Sequence, residues 1–162
     1  MAGKARIYLE STFVFALGVV DREGDVSRVA RSAESRMWWE RRKNGFLLFI
    51  SQLVVDEAGR GEPAAVHARL APIASLPLLA LTDEAETLAG ELLAAGLYAQ
   101  SAVEDALHMA MATIHGMDYF LTWDCRQFAN AETVPALQRA IEDLGYTSPV
   151  ICTPEQLMGT EA

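Results

Sequence analysis

The sequence predicts an α/β protein, a three-layer α/β/α sandwich around a central, mostly parallel sheet of about five short strands. Three observations predict it. Short apolar runs of strand type recur along the chain, and helical patterns of crossover length separate them. One of these runs, Phe46 to Ile50 (FLLFI), is unbroken, the pattern of a strand buried on both faces of a parallel sheet. The composition, 51% hydrophobic and 22% charged over 162 residues, is that of a folded globular chain large enough to bury a core in one domain, residues 1–162.

The elements follow in order. Arg6 to Leu9 reads as a first strand that delivers Glu10 at its C-terminal end. Ser11 and Thr12 are hydroxyl residues that can cap the next helix or bond to a neighbouring carboxylate. Phe13 to Val20 is apolar and helical, and Asp21 to Asp25 is a charged break. Val26 to Lys43 forms a longer polar helix with Trp38 and Trp39 near its end, closed by the turn signal Asn44-Gly45. After FLLFI, Ser51 caps a helix running to about Gly59, and Glu62-Pro63 starts another that runs to about Leu70. Pro77 to Leu81 is a third strand, and Thr82 caps an Ala/Leu/Glu-rich helix to Ala95 that Gly96 stops. Ser101 with Glu104 three residues later has the form of a capping box, and Val103, Leu107, Ala110, Met111 and Ile114 then fall at helical spacing until Gly116. Tyr119 to Leu121 is a fourth strand, closed by Thr122-Trp123-Asp124. Glu132 to Leu144 is a helix ended by Gly145, Val150-Ile151 a fifth strand, and Thr153-Pro154-Glu155-Gln156 a terminal helical turn.

A net charge of −9 argues against a surface that attracts nucleic acid everywhere. The basic residues are uneven, however: Arg28, Arg31, Arg36, Arg41, Arg42 and Lys43 crowd one segment. That run reads equally as a phosphate-facing RNA contact or as a solvated helical face. No apolar run approaches a membrane span, and MAGKARIYLE lacks the apolar region of an export signal. Cys125 and Cys152 form neither a metal spacing nor a disulfide framework, so a cytoplasmic location is expected.

Sites in open α/β sheets form outside the C-terminal strand ends. Glu10 follows the first strand, Asp124 the fourth, Glu57 lies in the helix after the second, and Asp105 opens the helix before the fourth. Four carboxylates meeting there would repel one another and raise each other's pKa, and a divalent cation would relieve that. All-oxygen ligands suit Mg²⁺ or Mn²⁺, as one or two ions, and such ions activate water against phosphodiesters. Each acid also has a plain explanation. Periodicity leaves Asp56 and Glu57 nearly even, Glu104 is absorbed by capping, and Asp105 suits the positive end of a helix whatever its task. His108, three residues after Asp105, is better explained as a packed or hydrogen-bonded histidine than as a ligand. Trp38 and Trp39 pack at least as readily as they stack on bases. A phosphoacceptor receiver needs a lysine after its last strand, and none follows Lys43.

Ile7-Tyr8-Leu9-Glu10-Ser11-Thr12, Ser51 to Ala58 (SQLVVDEA), Asp105 to Ala110 (DALHMA) and Leu121-Thr122-Trp123-Asp124 resemble, in order, the acidic blocks of PIN domains. The nearest likeness is to the VapC-like toxins of bacterial toxin–antitoxin systems, in a branch that begins "YLET", carries Trp-Trp-Glu before the second strand and ends near "CTPEEL"; Trp38-Trp39-Glu40 and Cys152 to Leu157 match those features. The resemblance spans nearly the whole chain. It implies a PIN-like fold and a Mg²⁺- or Mn²⁺-dependent ribonuclease. It also implies a frequent homodimer and an antitoxin that blocks the acidic site. Carried over by position, Glu10, Glu57, Asp105 and Asp124 hold the metal, Thr12 and Thr122 support the first and last acids, and Glu57 is chosen over Asp56. Glu10 stands where PIN domains generally have Asp, and Asp124 and Gln127 stand where the branch often has Asn and His. Such changes imply an alternative, a PIN-like binding module with weak or no turnover that recognises RNA or a protein partner.

Overall fold

Strands β1 (Ala5–Leu9), β2 (Phe46–Ser51), β3 (Leu78–Leu79), β4 (Tyr119–Leu121) and β5 (Val150–Cys152) form one sheet in the order β3-β2-β1-β4-β5, every pair parallel. The structure is a computed structural model that describes residues 3–19 and 24–160. Seven α-helices flank the sheet among these residues: α1 (Ser11–Leu17), α2 (Val26–Arg42), α3 (Gln52–Ala58), α4 (Pro63–Ile73), α5 (Asp83–Ala94), α6 (Val103–Ile114) and α7 (Val134–Asp143). The chain travels outward from β1 through β2 to β3, then returns across the sheet to β4 and β5. Right-handed crossovers therefore put α1 to α4 on one face and α5 to α7 on the other. The packing agrees, with α1 against α2, α3 and α4, and α5 against α6.

The direction of travel reverses between β1 and β4, which are paired with Leu9 opposite Leu121. The Glu10 amide donates to the Leu121 carbonyl at 3.0 Å, so the first acid is tied to the end of β4 by backbone as well as by sequence. At the other end, Arg6 and Asp118 lock the start of the pair: the Arg6 amide donates to Asp118 Oδ2 and the Asp118 amide to the Arg6 carbonyl. Ile7, Tyr8, Leu9, Phe120 and Leu121 are fully buried beneath this point.

Several elements differ from expectation, each for a local reason. The sheet is wholly parallel rather than mostly so. β2 is not buried on both faces throughout, since Leu47 is exposed near its start. β3 shrinks to two residues at the sheet edge, with Leu78 and Leu81 exposed, and a short edge strand offers little template for unwanted pairing. α4 continues past Leu70 to Ile73 and takes Pro72 into its last turn. Ser101 does not cap α6. A turn closed by the Ala102 amide on the Ala99 carbonyl makes Ala102 the cap residue, without a side-chain bond. Reciprocal capping bonds occur instead at the C-terminal end, where the Thr153 amide donates to Gln156 Oε1 and the Gln156 amide to Thr153 Oγ1. Val103 is exposed while Ala106, His108 and Met109 to Thr113 are buried, because α6 is covered by α5 as well as by the sheet. The expected helix end at Val20 and the start of the break at Asp21 lie outside the described residues.

Candidate functional site

Glu10 leaves β1 with extended backbone and serves as the N-cap of α1, an unusual task for glutamate. Its Oε2 accepts from the Thr12 amide at 3.1 Å, from Thr12 Oγ1 at 2.5 Å and from Thr122 Oγ1 at 2.7 Å. Thr122 Oγ1 in turn accepts from the Asp124 amide at 2.9 Å, and Thr12 Oγ1 accepts from the Trp123 amide at 2.9 Å. The two threonines thus join the loop after β1 to the loop after β4. Glu10 is 3% exposed, and burial pushes its carboxyl above the ordinary range, opposed first by the charge that His108 carries when protonated and then by the threonine bonds.

Asp124 Oδ1 accepts from the amides of Arg126 and Gln127, an Asx turn that fixes its χ1. Asp105 lies in the first turn of α6. Its carboxyl is raised by partial burial first and then by the Asp124 charge, with Glu57 and Glu104 adding and His108 opposing. Asp105 therefore feels the charges of Asp124 and Glu57, and Glu10 is tied to the Asp124 loop through Thr122. Asp56 points away, exposed and bonded to Gln52 Nε2, whereas Glu57 turns inward to His108. Glu104, expected in a capping box, makes an exposed 3.3 Å pair with Arg60 that contributes little.

The basic run divides. Arg28 and Arg31 line a cleft of about 780 Å³ that also takes in Thr12, Trp123 and Asp124. Arg36 instead donates to the Val19 carbonyl, Arg41 lines a separate hollow on α2, Arg42 covers the Phe46 ring and Lys43 the Trp39 ring. Trp38 is fully buried against Phe13 and Phe46, so it packs and does not stack on a ligand. α2 is docked onto the site by a chain in which Trp123 Nε1 donates to Ser35 Oγ at 2.8 Å and Ser35 Oγ to the Arg31 carbonyl at 2.7 Å.

Sequence reasoning missed three residues. Arg69 on α4 and Arg126 after Asp124 line the same cleft as Arg28 and Arg31. No local pattern announces them, since they come from distant segments. His108 is 1% exposed and bonded on both ring nitrogens, the packed and hydrogen-bonded histidine that the sequence led us to expect. Tyr98 is buried with an unpartnered hydroxyl, and after burial the charges that raise its pKa belong to Asp105 and Asp124.

The donor set suits a hard divalent cation. Among the described residues, Glu10, Glu57 and Asp124 each have one carboxylate oxygen held by a hydrogen bond and the other without one, and the Asp105 carboxylate accepts none. The orphaned Tyr98 hydroxyl nearby is a further polar group that a water or ligand oxygen would satisfy. The spacing is a separate matter: among the described residues no group of three or more His, Cys, Asp or Glu is arranged to hold an ion. Unneutralised carboxylates repel, so drawing them together is work that a bound cation would have to do.

No protein-family model matches the chain, and no curated protein matches it in sequence. Among solved structures it is similar to VapC20 of Mycobacterium tuberculosis, a sarcin–ricin loop cleaving toxin, with a TM-score of 0.55 and 21% identity over 75% of this chain and 92% of that one. The likeness is one of fold: the chain has a PIN-like α/β architecture. No helix among the described residues is long and apolar enough to cross a membrane.

Proposed function

We propose that this chain is a metal-dependent endoribonuclease, the toxin of a toxin–antitoxin pair. The observation that carries the reading is the cleft in which Asp124 faces Arg28, Arg31, Arg69 and Arg126, on a chain whose net charge is −9. An acidic site repels RNA unless cations lie beside it, and guanidinium groups suit phosphate oxygens. In this reading Glu10, Glu57, Asp105 and Asp124 hold one or two Mg²⁺ or Mn²⁺ ions. When bound, the metal supplies an activated water and a counter-charge for the leaving oxygen. Thr12 and Thr122 hold Glu10 in place. The arginines hold the backbone on either side of the scissile phosphate. A small protein antitoxin that covers the acidic site, and a homodimer, belong to the same reading.

The test is cleavage by purified, partner-free protein. Substrates are a ribosomal stem–loop of the sarcin–ricin type, the target of the structural neighbour, and an unstructured RNA, each with Mn²⁺, Mg²⁺ or chelator. Cleavage that requires metal and is lost in Asp105→Asn is expected; metal-independent cleavage, or none on any RNA, defeats the reading. The second reading is a binding module without turnover. It is favoured by the carboxylate spacing, which forms no ligand cage among the described residues. RNA binding without cleavage at saturating Mn²⁺ would select it.

A further inference from the structure

Beneath the acids runs a buried chain of side chains that begins at the helix cap Ser51 and continues where neither capping nor packing requires it. Ser51 Oγ lies 2.8 Å from the Tyr8 hydroxyl, that hydroxyl 2.6 Å from His108 Nδ1, and His108 Nε2 2.5 Å from Glu57 Oε1. Tyr8 is 0% exposed, and Ser51 and His108 are each 1% exposed. Phe128 closes over the imidazole edge to face at 6.5 Å.

The proton positions follow from the groups at the two ends. An ionised carboxylate only accepts, so Nε2 carries a proton towards Glu57. In the neutral ring Nδ1 is then an acceptor, and the Tyr8 hydroxyl donates to it. The Tyr8 oxygen is left free to accept from Ser51, whose own oxygen accepts from the Val54 amide at 3.4 Å. Every donor points the same way and the series ends on one oxygen of Glu57. Burial pushes the Tyr8 phenol far above its usual range, with Glu10 and Glu57 adding, so it stays a neutral donor at any working pH.

Each member also sits on an element that carries an acid or leads directly to one. Tyr8 is on β1 two residues before Glu10, Ser51 caps the helix that bears Glu57, and His108 is one turn beyond Asp105 on α6. We propose that Ser51, Tyr8 and His108 form a positioning relay that fixes the Nε2–H tautomer of His108 and thereby holds Glu57 Oε1, leaving Oε2 turned to the site. The relay's use for metal binding rests on the nuclease reading above; its tautomer does not. A histidine that merely filled the core would need one acceptor, not an ordered series of three donors.

The test combines ¹⁵N imidazole NMR at fixed neutral pH with Mn²⁺ titration by calorimetry, on wild type, Tyr8→Phe, His108→Gln and His108→Leu. Wild type should show a protonated Nε2 and a hydrogen-bonded acceptor Nδ1; Tyr8→Phe, which keeps the ring's volume and leaves Glu57 in place, should keep Nε2 protonated but move the Nδ1 resonance to that of an acceptor without a donor. Mn²⁺ affinity should fall roughly ten- to a hundredfold in Tyr8→Phe and His108→Leu, the range for loss of a ligand's hydrogen-bond partner. His108→Gln, which keeps a donor towards Glu57, should recover part of it. A wild-type Nδ1–H tautomer, or a Tyr8→Phe spectrum identical to wild type, overturns the relay. So does Mn²⁺ affinity equal in all four proteins. If wild type binds no Mn²⁺, the nuclease reading fails, and the imidazole spectra alone decide whether the relay stands.

Discussion

A carboxylate 3% exposed must be held by donors or neutralised, and Glu10 is held by three bonds to one oxygen, whereas the Asp105 carboxylate has no such donors among the described residues. Asp105 shows the consequence. Its carboxyl is raised in the folded protein, first by burial and then by Asp124, so folding favours the protonated form. The stabilisation is complete below the ordinary Asp range and is lost as pH rises through the raised folded value. At neutral pH the metal-free protein therefore carries an unrelieved charge. Asp105→Asn should raise the metal-free melting temperature at pH 7.5 by a few degrees, modest because the group is half-exposed and screened. The gain should shrink as pH falls into the carboxylate range, and the variant should lose the upward shift that the metal-dependent reading expects Mn²⁺ to give wild type. Thermal melts across pH, with and without Mn²⁺, check all three. Tyr98 makes the companion case, because its buried hydroxyl lacks a partner. Tyr98→Phe removes a group whose burial costs about 1 kcal/mol or more, so urea denaturation should find the variant at least as stable as wild type. Its cleavage rate should nevertheless fall if that hydroxyl meets a water or substrate oxygen beside Asp105. Unchanged cleavage would make Tyr98 a packing residue.

At the scale of elements, what was legible in the sequence depended on whether a signal was local. Thr82 caps α5 through the Ala85 amide at 3.1 Å, as its position before the Ala/Leu/Glu pattern predicts. Ser101 carries an equally good pattern with Glu104 and caps nothing, because the Ala99–Ala102 turn places the helix start one residue later. Thr82→Ala should cost about 1 kcal/mol and Ser101→Ala less than about 0.5 kcal/mol, measured by urea denaturation. Equal costs would contradict this assignment of caps. The alternation of strand and helix, and the acids after β1 and β4, were readable because each depends on neighbours in sequence. The inward turn of Glu57 was not legible from periodicity, which treated Asp56 as its equal, and only the family resemblance chose it; His108, 51 residues away, distinguishes them by bonding to one only. The four-arginine cleft was half legible. Arg28 and Arg31 stood in a visible basic run, but that run also held four residues that face elsewhere, while Arg69 and Arg126 join from other elements.

For the whole molecule, the nuclease proposed above raises the question of how a chain of net charge −9 would approach RNA. Bulk charge slows encounter, so affinity must come from a local field strong enough to reverse it. The cleft concentrates four arginines, with the Arg31 guanidinium 5.4 Å above the Trp123 ring and Arg69 4.5 Å above Phe15, and these stacking contacts hold the cations at the wall rather than free in solvent. Each guanidinium that displaces a counterion from single-stranded RNA contributes a salt slope of about 0.7, so full use of the cleft predicts a log–log slope of roughly −3. Arg28→Ala and Arg126→Ala, both exposed and bonded to little else, should each weaken binding across unrelated RNA sequences and flatten that slope by about 0.7. Arg41→Ala, in the other hollow of α2 and outside the lining of the cleft, should change neither affinity nor slope. Binding measured by fluorescence anisotropy from low to moderate salt, with an inactive Asp105→Asn background to prevent cleavage, separates the two outcomes. If Arg41 weighs as much as Arg126, RNA is held by the diffuse face of α2, and the cleft beside Asp124 is not its path.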